Sequence, residues 1–145
     1  MTAKEYLSMQ KALREEILCD LDNLAAMRSV VEDCTTHLSF TAGRNPSGKK
    51  DTFENVMLDI TAEEEKIEAK KLRMYEMVRD ILSLIRQIPE KKYQDVLRLR
   101  YILGLDWQTV SQKMYVGADY VFTLHRDALT EFEVVYSENR MNNRK

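Results

Sequence analysis

Phe53, Met57, Ile60, Glu64, Ile67, Lys71, Met74, Val78, Ile81, Ile85 and Ile88 follow one another in alternating steps of four and three, and no Gly or Pro falls between residues 52 and 88. A repeat averaging 3.5 residues gathers these positions on one stripe of an α-helix and scatters them over both faces of a strand. At about 1.5 Å per residue, a helix over 52–88 would run on the order of 55 Å, too long to be buried in a small globule. Its seam must meet another helix, either an earlier part of the chain folded back on it or a second copy.

The same chain offers such a partner. From Ala3 to about Thr41 nothing interrupts a helix, and Ile17, Leu21, Leu24, Arg28, Val31, Thr35 and Leu38 keep the same rhythm, imperfect at Arg28 and Thr35. Between the two segments lies GRNPSGKKD, residues 43–51, which holds two of the four glycines and one of the two prolines. By composition it is a loop or flexible linker, with Asp51 or Thr52 as the N-cap of the long helix. Residues 1–88 are thus predicted to form a long antiparallel coiled-coil hairpin that also serves dimerisation, so a homodimer is expected. Glu64 and Lys71 bring charge into the seam; they either face solvent where the partner thins out or set register and oligomeric state, as polar seam residues do.

Pro89 halts the long helix at Ile88, because the residue before proline is pushed out of the α region. A fresh helix from about Glu90 to Leu103 is predicted next, ended by Gly104. Asp106 then caps a helix over Trp107–Met114, and after a YVG turn the last helix runs from Ala118 to about Val135, leaving SENRMNNRK as a frayed polar tail. With 32% charged residues, 4 Gly and 2 Pro in 145 residues, the composition favours long helices and an all-α chain.

Composition also narrows the function. The net charge of −2 argues against a protein that coats nucleic acid indiscriminately. Residues 89–145 carry nine Lys and Arg against eight Asp and Glu, so any DNA footprint must be a local patch. No apolar run approaches the roughly 18 residues of a membrane span. The start, MTAKEYLSMQ, has no apolar signal-peptide region, so a cytoplasmic protein is expected. Cys19 and Cys34 fall in one predicted helix, too far apart to bridge each other, and read as thiols in a reducing compartment. His37 and His125 stand alone, with no ligand set at metal spacing. No nucleophile constellation, glycine-rich phosphate loop or paired acidic site emerges, so neither an enzyme, a metal nor a cofactor is expected.

Residues 107–132, WQTVSQKMYVGADYVFTLHRDALTEF, read as helix, turn and helix, with Val110, Met114, Val116, Val121, Leu124 and Ala128 placed to form their common core. The longer stretch YQDVLRLRYILGLDWQTVSQKMYVGADYVFTLHRDALTEF resembles region 4 of bacterial sigma factors, which binds promoter DNA through a helix-turn-helix. With MTAKEYL at the start, RYILGLDWQTVSQKM in the middle and LHRDAL near the end, the chain is similar over nearly its full length to small phage and prophage proteins of Gram-positive bacteria. Those have been linked to late-gene or autolysin-type transcription regulation. The resemblance implies a sigma-region-4-like helix-turn-helix domain over 89–136, a flexible basic tail over 137–145, and a phage transcription regulator that binds double-stranded DNA in the bacterial host cytoplasm.

On that basis Arg98, Arg100, Lys113 and Arg126 are expected to contact phosphates, and Tyr120, Phe122, Thr123 and Arg126 to read sequence. The sequence departs from the pattern in two places. Ala118, Asp119, Tyr120, Phe122 and Thr123 occupy the exposed face of the recognition helix, where Arg, Gln or Ser is usual, and base readout favours Arg, Lys, Asn or Gln. Tyr115 stands in a turn position that commonly holds Gly, so either Gly117 shifts the turn or Tyr115 is strained. Lys91 and Lys92, beside Glu90, look like an ordinary helix start. Trp107 is read as packing of the first helix, with a partner anchor as the other choice. A second functional class therefore stays open: an interaction module, its surface aromatic and acidic, that binds host RNA polymerase or another host protein.

Overall fold

In the computed structural model, residues 1–40 and 48–145 are described, with side chains described for 1–33 and 53–145. Every regular element among them is helical. The order is α1 (Ala3–Phe40), α2 (Gly48–Ile85), α3 (Lys91–Leu97), a π-helical turn over Arg98–Ile102, α4 (Trp107–Met114) and α5 (Ala118–Asn142). The expected loop at 43–51 is shorter on its C-terminal side, because α2 already begins at Gly48 and not at an Asp51 or Thr52 cap; residues 41–47 lie outside the described part. Two compact units result, one made of Met1–Leu13 with Met74–Lys145 and the other of Arg14–Arg73.

In the Arg14–Arg73 unit, segments of α1 and α2 run in opposite directions. Leu24, Ile60 and Ile67 form its core, with Leu21, Met27, Val31 and Val56 packed around them. Five of these seven belong to the two predicted seams, Leu21, Leu24 and Val31 in α1 and Ile60 and Ile67 in α2. Phe53 and Met57 are exposed, and Val56 packs inward in place of Met57. Glu64 meets Arg28 of α1 in an ion pair, so two charges that interrupt the two seams face each other. Among the described residues Lys71 bonds along its own helix, to Glu68 at 3.1 Å. A second cross-helix cation is its neighbour Lys70, 2.5 Å from Asp20 and 2.7 Å from Glu16, and these two carboxylates push its pKa up.

The other unit begins at a capping box that the MTAKE start encodes. Glu5 N–H donates to Thr2 Oγ1 at 3.2 Å and Thr2 N–H donates to the Glu5 carboxylate at 2.7 Å, closing two open donors of α1. Its core joins Ala3 and Leu7 of α1, Ile81, Leu84 and Ile85 at the end of α2, Ile88 just beyond it, and buried side chains from every later helix. Gln10 is also buried there, with no hydrogen-bond partner for its amide among the described residues.

Helix α2 ends at Ile85, three residues before the expected stop. The chain then tightens into bonds from Gln87 N–H to Leu84 O and from Ile88 N–H to Ile85 O, both 3.1 Å. Gln94 closes this end by donating to the Ile88 carbonyl at 2.6 Å. The expected helix over 90–103 is regular only as far as Leu97, after which Leu103 N–H reaches back five residues to Arg98 O at 3.0 Å. Such a π turn inserts a residue into the winding and re-aims the side chains on either side of it. Gly104, at φ 67°, then ends the run.

Asp106 caps α4 as expected, accepting from Thr109 N–H at 2.7 Å, and this bond holds its carboxyl below the usual range. Helix α5 buries Val121, Leu124, Ala128, Phe132 and Val135 on one face and continues to Asn142, well past the expected end near Val135. The extra turns are anchored where Tyr136 packs on Phe132 and on Tyr6.

Candidate nucleic-acid interface

Helices α4 and α5 are joined by a turn over Tyr115, Val116 and Gly117. Val116 N–H donates to Ser111 O at 3.1 Å and Tyr115 N–H to Gln112 O at 3.2 Å, the paired bonds of a Schellman end. That end needs one left-handed residue, and Tyr115 supplies it at φ 56°, ψ 40°. Gly117 does not shift the turn: its φ is −68°, and it serves as the N-cap of α5 without a side-chain bond. Holding a tyrosine in the left-handed region costs on the order of 1–3 kcal/mol, where glycine would cost little. The Tyr115 side chain is nonetheless 95% exposed.

The seven expected site residues separate into three groups. Arg98 and Lys113 line one cleft together with Lys91, Lys92, Tyr115 and Tyr120; its volume is about 740 Å³. Arg98 approaches Asp95 at 3.6 Å and Lys92 approaches Glu90 at 3.3 Å, both as exposed pairs. Lys91 and Lys113 have no ion pair among the described residues. Lys91 and Lys92, read from sequence as a helix start, therefore belong to the cationic patch. The seven-residue spacing from Lys91 to Arg98, which sets side chains on one helix face, was the signal available for this.

Arg100 goes elsewhere. Its Nη1 donates to the Leu105 carbonyl at 3.0 Å and its guanidinium lies 4.4 Å from the centre of the Trp107 ring. The guanidinium thus helps close the turn after the π segment and stacks on Trp107, a positioning role that takes one of its five N–H donors. Phe122 packs on the same indole at 5.2 Å while remaining about half exposed. His125 meets it edge-on at 4.6 Å and shares a 2.7 Å hydrogen bond with the Tyr101 hydroxyl through Nε2. Burial, reinforced by the charges of Lys4 and Arg100, lowers the His125 pKa to about 4, so the ring is neutral at pH 7.

Thr123 and Arg126 remain on the open face of α5, with Arg126 77% exposed and 3.6 Å from the Asp127 carboxylate. Asp119 lies in the first turn of the same helix, also exposed. The arrangement can thus offer cations and phenols to an anionic polymer on one side and an aromatic edge on another. No cluster of three or more His, Cys, Asp or Glu suited to a metal occurs among the described residues. None of the helices searched is long and apolar enough to cross a membrane.

These features define the chain as a small all-helical protein with a cationic cleft beside a short helix pair. It belongs to a family described as a protein of unknown function, DUF1492, whose model matches residues 36–133. No curated protein and no solved structure matches it.

Proposed function

We propose that the chain is a phage-encoded transcription regulator that binds double-stranded DNA through α4 and α5, used as a sigma-region-4-like helix-turn-helix. The observation that carries this reading is the pairing of α4 with α5 through buried Val110, Val121 and Ala128 across a three-residue turn, which leaves Thr123 and Arg126 exposed on the outer face of α5. A second helix so presented suits the width of the major groove. Phosphate contacts would come from Arg98, Lys113 and Arg126, with Arg100 holding Trp107. The antiparallel α1–α2 segments would act as a coiled-coil hairpin that pairs two copies, and a homodimer would reach two half-sites.

The test is fluorescence anisotropy of the full-length protein against duplex fragments that flank its own gene, at two salt concentrations. One fragment should bind preferentially and lose affinity steeply as salt rises. Arg126→Ala should cost about 1–3 kcal/mol if the guanidinium meets a base edge. Binding that is weak and equal for all fragments would refute a sequence reader.

A second reading rests on a specific observation: Tyr120 and Phe122 are each about half exposed on α5, next to Asp119, in place of the polar side chains that read bases. Aromatic residues are enriched at protein interfaces. In this reading the helix pair holds a host protein such as RNA polymerase. Stoichiometric binding to purified polymerase that is abolished by Phe122→Ser, with no preference among duplexes, would favour it.

A further inference from the structure

Duplex binding through the outer face of α5 leaves much of the neighbouring cleft without a purpose. Lys91, Lys92, Arg98 and Lys113 stand on its walls, and apolar side chains including Leu103, Met114 and Val116 line it as well. With Asp95 against Arg98 and Glu90 against Lys92, the surplus charge rests on Lys91 and Lys113. A duplex backbone presents phosphates on a convex ridge with its bases stacked inside. It has a use for the cations, but none for an apolar lining or a projecting ring.

Tyr115 is such a ring. It is almost wholly exposed, makes no ring contact or hydrogen bond through its side chain among the described residues, and sits in a backbone conformation that disfavours it. Strain of that kind persists where the side chain has work to do outside the chain's own packing. Tyr120, in the first turn of α5, lines the same cleft from the other side of the turn. Two rings and four cations lining one cleft match the way single strands are held: unpaired bases stack on aromatic faces while a positive groove tracks the phosphates.

We propose that this cleft binds single-stranded nucleic acid, with Tyr115 and Tyr120 stacking on unpaired bases and Lys91, Lys92, Arg98 and Lys113 facing the phosphates. This site shares Arg98 and Lys113 with the phosphate contacts of the duplex reading, but Tyr115, Lys91 and Lys92 belong to it alone, and it stands on Tyr115, which the duplex reading does not use. The ligand chemistry is common to DNA and RNA, so both strands enter the test.

The full-length protein is titrated by anisotropy against labelled oligothymidylate and oligouridylate of about twelve nucleotides, and against a duplex of the same length. Tyr115→Gly suits the left-handed turn, so it deletes the ring and keeps the backbone. It should weaken single-strand binding by about five- to a hundredfold, the range that stacking supports, and change duplex binding less than about twofold. Lys91→Gln combined with Lys113→Gln should reduce the log–log salt slope for the single strand by about 1.4, or about 0.7 per phosphate contact. Binding of either strand with these losses supports the site, and the tighter strand identifies the ligand. It is supported equally if the duplex does not bind at all, an outcome that removes only the duplex reading. No single-strand binding by the wild type, equal binding by Tyr115→Gly, or an unchanged salt slope overturns it.

Discussion

At His125 an imidazole is half-buried between Tyr101 and Trp107, and the loss of hydration with the charges of Lys4 and Arg100 holds its pKa at about 4. In the unfolded chain the same group titrates near 6.5. Between these two values the unfolded state binds more protons, so stability from this group is fully present above about pH 6.5 and is lost as pH falls toward 4. The Tm of the wild type should therefore drop further between pH 7 and pH 4.5 than that of His125→Asn, measured by circular dichroism; parallel curves would contradict the assignment. Sequence marked His125 only as an isolated histidine, since the ring's neighbours come from 18 and 24 residues away. The position of Tyr115, by contrast, was readable in part: a tyrosine where the turn wants glycine signals strain from sequence alone.

At the scale of elements, the α4–turn–α5 unit shows which glycine the backbone needs. Gly104 adopts a positive φ and ends the π turn, whereas Gly117 has an ordinary φ, and a Cβ there would meet nothing within 4 Å. As the N-cap of α5 it lacks a side-chain acceptor. Gly117→Ser should then stabilise the protein by about 0.5–1 kcal/mol, through the added cap and a stiffer unfolded chain, read as a rise in the urea midpoint at constant m-value. A fall in that midpoint would mean that the turn moves. The limits of α4 and the start of α5 were legible because Asp106, Gly104 and Gly117 are local signals that act within one turn. The π turn was not, for it depends on how Arg98–Ile102 meets the core, and no residue in RLRYI announces it.

At the scale of the molecule, the two units differ in how much they bury. Among the described residues, fifteen buried apolar side chains form one core and three form the other. Local opening follows buried apolar contact, so the segments with the thinner core should open at lower free energy. Native-state hydrogen exchange should find amides over residues 14–33 and 53–73 exchanging faster than those over 121–135, with uniform protection as the contrary result. The exposed cross-helix pair of Arg28 with Glu64 contributes little to closing that difference, since such pairs are typically worth less than about 1 kcal/mol. What the sequence determined by itself was the all-helical class, the two long helices and the limits of the first of them, because apolar periodicity, caps and helix-breaking residues act over a few neighbours; α2 starts and ends a turn earlier than its seam suggests. Only the tertiary structure decided that Arg100 serves Trp107, that Lys91 and Lys92 join Arg98 and Lys113 in a cleft, and that Tyr115 is left pointing into solvent. Each of these depends on which side chains from distant helices compete for the same space and charge, and spacing along the chain carries no record of that competition.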